Sequence, residues 1–255
     1  MEAIILSRRD FREHDQIISA YTKEEGKVEL LARGVKKIMS KNTAHLEPFS
    51  YVDIAWVSGK ELDYLTTVQP YDLFVHIRQD FEKSLGAWRV VSLVDTLIQA
   101  EHTDSRVFAL LLSWLQMIDD VDAFQTLLVD AFVMKFFDLL GFRPVLDKCV
   151  VSGVTFQDIG KGILESTQGA TKSRPGLYFQ GGGLIAPEAR SKKELIGEEI
   201  MYCGLKEIST LQIFLDGDWQ VIEALRLDEK EAQALHQLVY AYALYHSEKK
   251  VSDWI

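Results

Sequence analysis

Cysteine is scarce in this chain. Its 255 residues include two cysteines, Cys149 and Cys203, and neither belongs to a Cys-x-x-Cys pair. Two thiols so far apart do not make a disulfide framework, and no other cysteine or histidine lies between them to complete a tetrahedral zinc site. We therefore expect reduced, structural thiols, with no bound metal and no other cofactor.

Long apolar segments are also missing. The uncharged run Val107–Ile118 is too short to span a bilayer. The first residues, MEAIILSRRDF, lack the basic segment and long apolar run of a signal peptide. We therefore expect no membrane association and a cytoplasmic location.

The common catalytic motifs are absent too. The sequence contains no HExxH, GxSxG or EF-hand pattern, and its six histidines are scattered. The triple glycine at 181–183 is not followed by the Gly-Lys-Ser/Thr of a phosphate-binding loop, which favours a turn. These absences favour a binding protein over an enzyme.

Charge is unevenly distributed along the chain. The formal net charge is −10, and residues 1–69 carry 10 Lys and Arg against 11 Asp and Glu, whereas residues 70–255 carry 18 against 27. The acidic excess therefore lies almost wholly in the second part. If the protein binds a polyanion, the N-terminal part is the expected contact.

The first part of the chain has the pattern of a small β-barrel. Five segments with β character occur before Pro70, where we expect the β pattern to end: 3–6, 16–22, 27–32, 49–57 and 61–68. This number of strands fits a five-stranded OB-type barrel, and a small SH3-like barrel fits nearly as well. We predict an OB-fold, DNA-binding domain over residues 1–79.

The period then changes from two to about 3.6, which predicts a helical domain over residues 80–255. Asp80–Glu101 has an apolar stripe, which consists of Phe81, Leu85, Trp88, Val90, Val91, Val94, Leu97 and Ile98. We predict a further helix with its core over 107–118, capped by Asp104 or Ser105, and helices over 122–140 and 228–247. The segment 208–227 could be a hairpin or two short helices, and its context favours helices.

Glycine accumulates between residues 146 and 190, where the helical period disappears. We predict a small irregular β or turn insertion there, with helices resuming at about Lys192. The fold class is therefore α+β, with an N-terminal barrel followed by a helical domain that carries this insertion.

The stretch Leu30–Glu47 is the candidate binding site. No acid occurs between Glu29 and Glu47, although the protein as a whole is acidic. This pattern predicts phosphate contacts, while a solvated loop that keeps a strand edge soluble is the alternative. The candidate DNA-binding residues are Arg33, Lys36, Lys37 and Lys41, joined by Arg8, Arg9 and Arg12 near the first strand. Tyr51, Trp56 and Tyr64 could stack on unpaired bases, although aromatics in small barrels more often fill the core.

A set of short motifs occurs in a fixed order near the N-terminus. They are Leu6-Ser7-Arg8, Glu13-His14-Asp15, Tyr21-Thr22-Lys23-Glu24-Glu25-Gly26-Lys27, Ala32-Arg33-Gly34-Val35-Lys36-Lys37, Ser40 and Leu46-Glu47-Pro48-Phe49-Ser50. Weaker echoes are Leu139-Leu140-Gly141-Phe142-Arg143-Pro144 before Cys149, and Lys249-Lys250-Val251-Ser252. In this order the motifs resemble the RecO family of bacterial recombination mediators.

The resemblance implies an OB-fold, a helical C-terminal domain, binding of single- and double-stranded DNA, and strand annealing. It also implies RecR and the C-terminal tail of single-stranded DNA-binding protein as partners in loading recombinase on gapped DNA. By the family pattern, Arg33, Lys36 and Lys37 lie in a loop associated with DNA contact. Such a protein would be cytoplasmic and associated with the nucleoid during repair.

The chain departs from the family pattern in two places. Many members carry four zinc-binding cysteines, of which Cys149 alone remains, so we regard 146–190 as a degenerate zinc-site region without zinc. Some relatives also have arginines before the residue that corresponds to Phe132, where the tail of single-stranded DNA-binding protein docks. Here Asp130 and Ala131 precede it and Lys135 is the cation nearby, which puts that tail site in doubt.

The leading functional hypothesis is a non-enzymatic DNA-repair mediator of the RecO type. The alternative is a protein-interaction adaptor with an OB-fold and little DNA affinity of its own, which works through its acidic helical domain.

Overall fold

The computed structural model describes residues 1–36, 43–99, 103–165, 174–191 and 200–247. The chain forms two compact units, Met1–Val129 and Asp130–Ile255. Within the described ranges, no helix is both long and apolar enough to cross a membrane. The domain division predicted from the sequence, 1–79 and 80–255, concerns parts that would fold on their own, and it stays a prediction.

The N-terminal strands form a closed barrel. They are β1 (Glu2–Asp10), β2 (Gln16–Thr22), β3 (Gly26–Ala32), β4 (Tyr51–Val57) and β5 (Asp63–Asp72). Their order is β1-β2-β3-β5-β4, and β4 pairs with β1 to close the barrel. Neighbouring strands are antiparallel except β3 and β5, which run parallel. The predicted OB-type barrel is confirmed.

Small and branched apolar side chains fill the barrel interior. They come from alternate positions of the strands, as expected where one face of each strand is inside, and include Ala3, Ile5, Ile18, Ala20, Leu30, Val52, Ile54 and Val68. Trp56 is partly buried against this core.

The predicted end of the β pattern at Pro70 is wrong, since β5 continues to Asp72. Pro70 lies opposite Val52, next to a register shift between Tyr51 and Val52 on the partner strand. Proline lacks the N–H that a regular ladder uses, and irregular pairing at a shift is where a strand tolerates it.

Three helices complete the first unit: α1 (Val75–Gln79), α2 (Phe81–Leu97) and α3 (Ser105–Asp120). Asp80 caps α2 by accepting the Lys83 N–H at 3.0 Å, and Asp104 caps α3 by accepting the Arg106 N–H at 2.8 Å. Both caps satisfy backbone donors that have no partner within the helix.

The buried face of α2 agrees with the predicted stripe in part, since Val91 and Val94 are buried. Phe81 is 76% exposed and Trp88 is 44% exposed, although both belong to the predicted apolar stripe. The buried face includes Gly86, where a side chain would collide with the ring of Phe124. A close contact made by a glycine does not show in the pattern of large apolar residues.

Asp95 connects α2 to the barrel. Its carboxylate accepts hydrogen bonds from Ser7 Oγ and Ser19 Oγ, each at 2.6 Å, and pairs with Lys27 Nζ at 2.9 Å. Burial acts to raise the pKa of Asp95, but the two serines and Lys27 outweigh it, and the net pKa is lowered. The carboxylate is therefore charged, and it orients α2 on the barrel wall.

The remaining helices are α4 (Leu127–Leu139), α5 (Phe156–Glu165), α6 (Leu205–Asp216), α7 (Trp219–Glu223) and α8 (Glu229–Ser247). The preference for helices over 208–227 is confirmed by α6 and α7. Nearly every side chain of α4 is buried, as its apolar sequence predicts.

The glycine-rich insertion contains more regular structure than we predicted. Strand β6 (Gly176–Tyr178) pairs with both β7 (Gly183–Ile185) and β8 (Ile200–Tyr202), which gives the order β7-β6-β8. Helix α5 also lies inside the insertion, although no helix was predicted there. The predicted restart of helices at about Lys192 lies outside the described residues, but the prediction is wrong for Ile200–Tyr202, which is the strand β8, and the next described helix begins at Leu205.

Candidate nucleic-acid interface

Three connections lie at the same end of the barrel. They are the β1–β2 turn (11–15), the segment after β3 (33–36) and the β4–β5 connection (58–62). Residue pairing requires this arrangement, because Gln16 opens β2 opposite Ala32 at the end of β3, and Leu31 pairs with Tyr64 at the start of β5. The candidate residues after β3 therefore lie beside the β1–β2 turn.

Backbone hydrogen bonds join the first two connections. The Gly34 N–H donates to Asp15 Oδ1 at 2.8 Å, and the Lys36 N–H donates to the His14 carbonyl at 3.2 Å. Gly34 has a φ of +66°, a left-handed conformation that glycine adopts without strain. Val35 lies between the exposed cations Arg33 and Lys36, and its side chain is buried in the barrel core. This burial anchors the segment to the barrel.

Two arginines at this end lie over aromatic rings. The guanidinium carbon of Arg33 is 4.1 Å from the centroid of the Tyr64 ring, and that of Arg12 is 5.0 Å from the centroid of the Phe11 ring. Neither arginine has a carboxylate partner within 4 Å among the described residues. Their charges remain available for an anion.

The other described candidate cations at this end are already paired with carboxylates. Lys36 Nζ lies 2.7 Å from Asp10, Arg8 lies 2.7 Å from Glu47, and Arg9 lies 3.2 Å from Glu29. A hydrogen bond from Lys36 is the largest contribution that lowers the pKa of Asp10.

Acids from other segments therefore lie against a stretch that is free of acids along the sequence. A phosphate must compete with three carboxylates for these three cations. Lys37 and Lys41, also candidate residues, lie outside the described residues.

The aromatic candidates have different surroundings. The Tyr51 hydroxyl donates to Glu2 at 2.7 Å and its ring packs on Tyr71 at 4.9 Å between centroids, while burial raises the pKa of Tyr51. Trp56 packs on the barrel core and Tyr64 lies under Arg33. Sequence reasoning missed Phe11, which is 43% exposed in the β1–β2 turn.

Cys149 is buried in the degenerate zinc-site region. Cys149 Sγ accepts the N–H groups of Ala186 at 3.2 Å and Ser152 at 3.4 Å. Burial acts to raise the pKa of Cys149, but these hydrogen bonds outweigh it and the net pKa is lowered.

Structural zinc sites use four thiolate or imidazole ligands. No three His, Cys, Asp or Glu side chains are grouped as metal ligands in the part of the chain that the structure describes. One thiol surrounded by backbone donors does not fit a structural zinc ion.

Lys135 has a structural role in the second unit. Its Nζ donates to the carbonyls of Leu215 at 3.3 Å and Gly217 at 2.7 Å, at the C-terminal end of α6, and lies 5.5 Å from the Trp219 ring centroid. Burial lowers the pKa of Lys135. The cation next to the doubtful tail-docking position is therefore engaged in capping a helix.

A closed OB-type barrel with arginines and an exposed aromatic ring around its β1–β2 turn is typical of nucleic-acid-binding OB-fold proteins. Two family models match the chain: "Recombination protein O N terminal" over residues 1–74 and "Recombination protein O C terminal" over residues 78–254.

Individual relatives agree with the family models. The chain is 29% identical over 253 residues to the DNA repair protein RecO of Symbiobacterium thermophilum, covering 99% of this chain and 94% of that protein. It is 23% identical over 248 residues to the DNA repair protein RecO of Alkaliphilus metalliredigens, covering 97% and 93%. It is 32% identical over 148 residues to the DNA repair protein RecO of Pelotomaculum thermopropionicum, covering 58% and 57%. The chain belongs to the RecO family of DNA repair proteins.

Proposed function

We propose that the protein is a non-enzymatic recombination mediator. It binds single- and double-stranded DNA through the cationic end of the barrel, promotes annealing, and helps to load recombinase on gapped DNA with RecR and single-stranded DNA-binding protein. Residues 1–79 serve as the DNA-binding part, and residues 80–255 recruit the protein partners. A cytoplasmic, nucleoid-associated location follows from this role.

The observation that supports DNA binding is the meeting of the β1–β2 turn with the segment after β3. Arg8, Arg9 and Arg12 belong to one stretch of chain and Arg33 and Lys36 to another, yet hydrogen bonds hold the two stretches side by side. Arginine and lysine side chains contact phosphates without reading the base sequence. Annealing then requires no covalent step, because cations that hold two strands close reduce their mutual repulsion.

A salt titration of DNA binding by the full chain tests this proposal. The change is Lys36→Ala with Lys37→Ala, and the matched control is Lys161→Ala with Lys230→Ala, two exposed lysines of the second unit. Loss of the Lys37 contact should reduce the slope of log K against log salt by about 0.7 for a single strand, and loss of Lys36 should add less, because Asp10 pairs with that lysine. The control should leave the slope and the annealing rate of complementary strands unchanged. Equal slopes for all three proteins would contradict the proposal.

The second candidate is an adaptor with little DNA affinity of its own. The ion pairs of Arg8, Arg9 and Lys36 favour it, because three of the cations are already neutralised. Under this hypothesis the wild-type chain retains a RecR-like partner or the tail peptide of single-stranded DNA-binding protein in a pull-down, yet retains no DNA at low salt. Salt-dependent DNA retention by the wild type rejects it.

A further inference from the structure

Phe11 is exposed on a rigid turn. The turn is closed by backbone hydrogen bonds from the Phe11 N–H to the Asp15 carbonyl at 3.1 Å, from the Arg12 N–H to the same carbonyl at 3.4 Å, and from the Asp15 N–H to the Arg12 carbonyl at 3.4 Å. The ring is 43% exposed. The turn therefore presents an aromatic ring to solvent in a fixed place.

One cation lies over this ring, and a second is held at the residue that precedes it in the chain. Arg12 lies over the ring, at 5.0 Å from its centroid. Asp10, the residue before Phe11, holds Lys36 through an ion pair of 2.7 Å, and the Lys36 N–H is bonded to His14 of the same turn. An apolar ring among cations suits a ligand that has both a flat apolar surface and negative charge.

Two other aromatic rings of the barrel are engaged in protein contacts. The Tyr64 ring carries Arg33 at 4.1 Å, and the Tyr51 ring packs on Tyr71 and Phe108. Phe11 has one arginine over its ring and retains a large exposed area. A nucleobase can use that area without displacing a structural contact.

We propose that Phe11 is a stacking site for an unpaired nucleobase, while Arg12 contacts the adjoining phosphate. The ligand class is single-stranded nucleic acid, because the faces of bases inside a duplex are covered by neighbouring base pairs. Phosphate contacts are common to single and double strands, whereas stacking on Phe11 is available to the single strand alone. This inference rests on the proposed DNA binding and assigns it a strand preference.

Fluorescence anisotropy with a labelled single strand and a duplex of equal length tests the inference in the full chain. Phe11→Ala should weaken single-strand binding about tenfold, a loss within the range of one base–aromatic stack. Duplex binding should change less than about twofold, because no phosphate contact is removed. The salt slope should stay the same for both ligands.

Two further variants separate stacking from bulk apolar contact. Phe11→Leu keeps an apolar side chain and should behave as Phe11→Ala, while Phe11→Tyr keeps the ring and should restore wild-type binding. Phe81→Ala is the matched control, since it also removes an exposed phenylalanine from the first unit, and it should leave both affinities unchanged.

The outcomes distinguish this inference from the proposed function. A wild type that binds DNA with the expected salt dependence, together with an unchanged affinity of Phe11→Ala for the single strand, overturns the stacking site alone. Equal losses for single strand and duplex, or a Phe11→Leu variant that binds as the wild type does, also overturn it. A wild type that binds neither ligand at low salt overturns both the inference and the function on which it rests.

Discussion

The ion pair between Lys36 and Asp10 allows a sharp prediction about the number of phosphate contacts. Seven cations are candidates for DNA contact, and of the five that the structure describes, three are paired with carboxylates. For a single strand each phosphate contact contributes about 0.7 to the salt slope, so four contacts correspond to a slope of about −2.8 and seven to about −4.9. If the ion pairs persist in the complex with DNA, the salt slope of the wild type should be near −2.8.

Asp10→Asn removes the carboxylate that holds Lys36. The freed lysine should then contact phosphate, which tightens binding at a given salt concentration and makes the slope steeper by about 0.7. Lys36→Ala in the wild-type background should change the slope much less, because that lysine is occupied by Asp10. Lys36→Ala in the Asp10→Asn background should remove the extra 0.7. The difference between the two backgrounds isolates the ion pair.

Equilibrium anisotropy titrations at several salt concentrations provide the slopes. Asp158→Asn is the matched control, since Asp158 forms the same kind of exposed ion pair with Lys161 in α5. It should leave the slope unchanged. A slope that is identical in the wild type and Asp10→Asn would refute the view that Asp10 competes with phosphate for Lys36.

Three further predictions concern the stability of the fold. Lys83 is 5% exposed and donates to the carbonyls of Asp119 and Val121; Lys83→Met should lower the free energy of unfolding in urea by about 1–3 kcal/mol, because it leaves buried carbonyls without a donor. Asp95→Asn should lower the free energy of unfolding by about 1.5–3 kcal/mol at neutral pH, because charge-assisted hydrogen bonds are lost. The pKa of Asp95 is lowered in the folded state. The wild type should therefore be more stable than the variant above about pH 4, and this difference should disappear as pH falls through the folded pKa. Cys149→Ala should lower the melting temperature because Sγ accepts two N–H groups in the wild type. A chelator should leave the melting temperatures of the wild type and the variant unchanged. A drop in melting temperature caused by the chelator would contradict the interpretation that the insertion holds no metal.

The type of most elements was predictable because the information is local. The change of apolar period from two to 3.6 marked the barrel and the helices that follow it, since residues two apart share a face of a strand and residues three or four apart share a face of a helix. Helix α5 was missed because glycines 160 and 162 obscure its pattern. Its start carried a usable signal: Thr155 and Asp158 have the spacing of a capping box, and the Asp158 N–H donates to Thr155 Oγ1 at 3.2 Å.

The charge state of the candidate interface was decided by tertiary contacts. Linear sequence showed a run of cations without acids between Glu29 and Glu47. The barrel brings Asp10 to Lys36 of that run from 26 residues away, and it pairs Arg9 of β1 with Glu29, which is 20 residues away. The pairing of strands determines these partners, and the sequence of a single segment does not show which strands will pair.

Tertiary contacts also decided which aromatic side chains are exposed. The sequence alone established a five-stranded barrel, a helical second part and a concentration of cations near the N-terminus. It could not show that Phe81 points to solvent while Gly86 packs on Phe124, or that Phe11 remains exposed beside Arg12. A pattern of residue types defines an apolar face, but which part of that face is covered depends on the segments that pack against it.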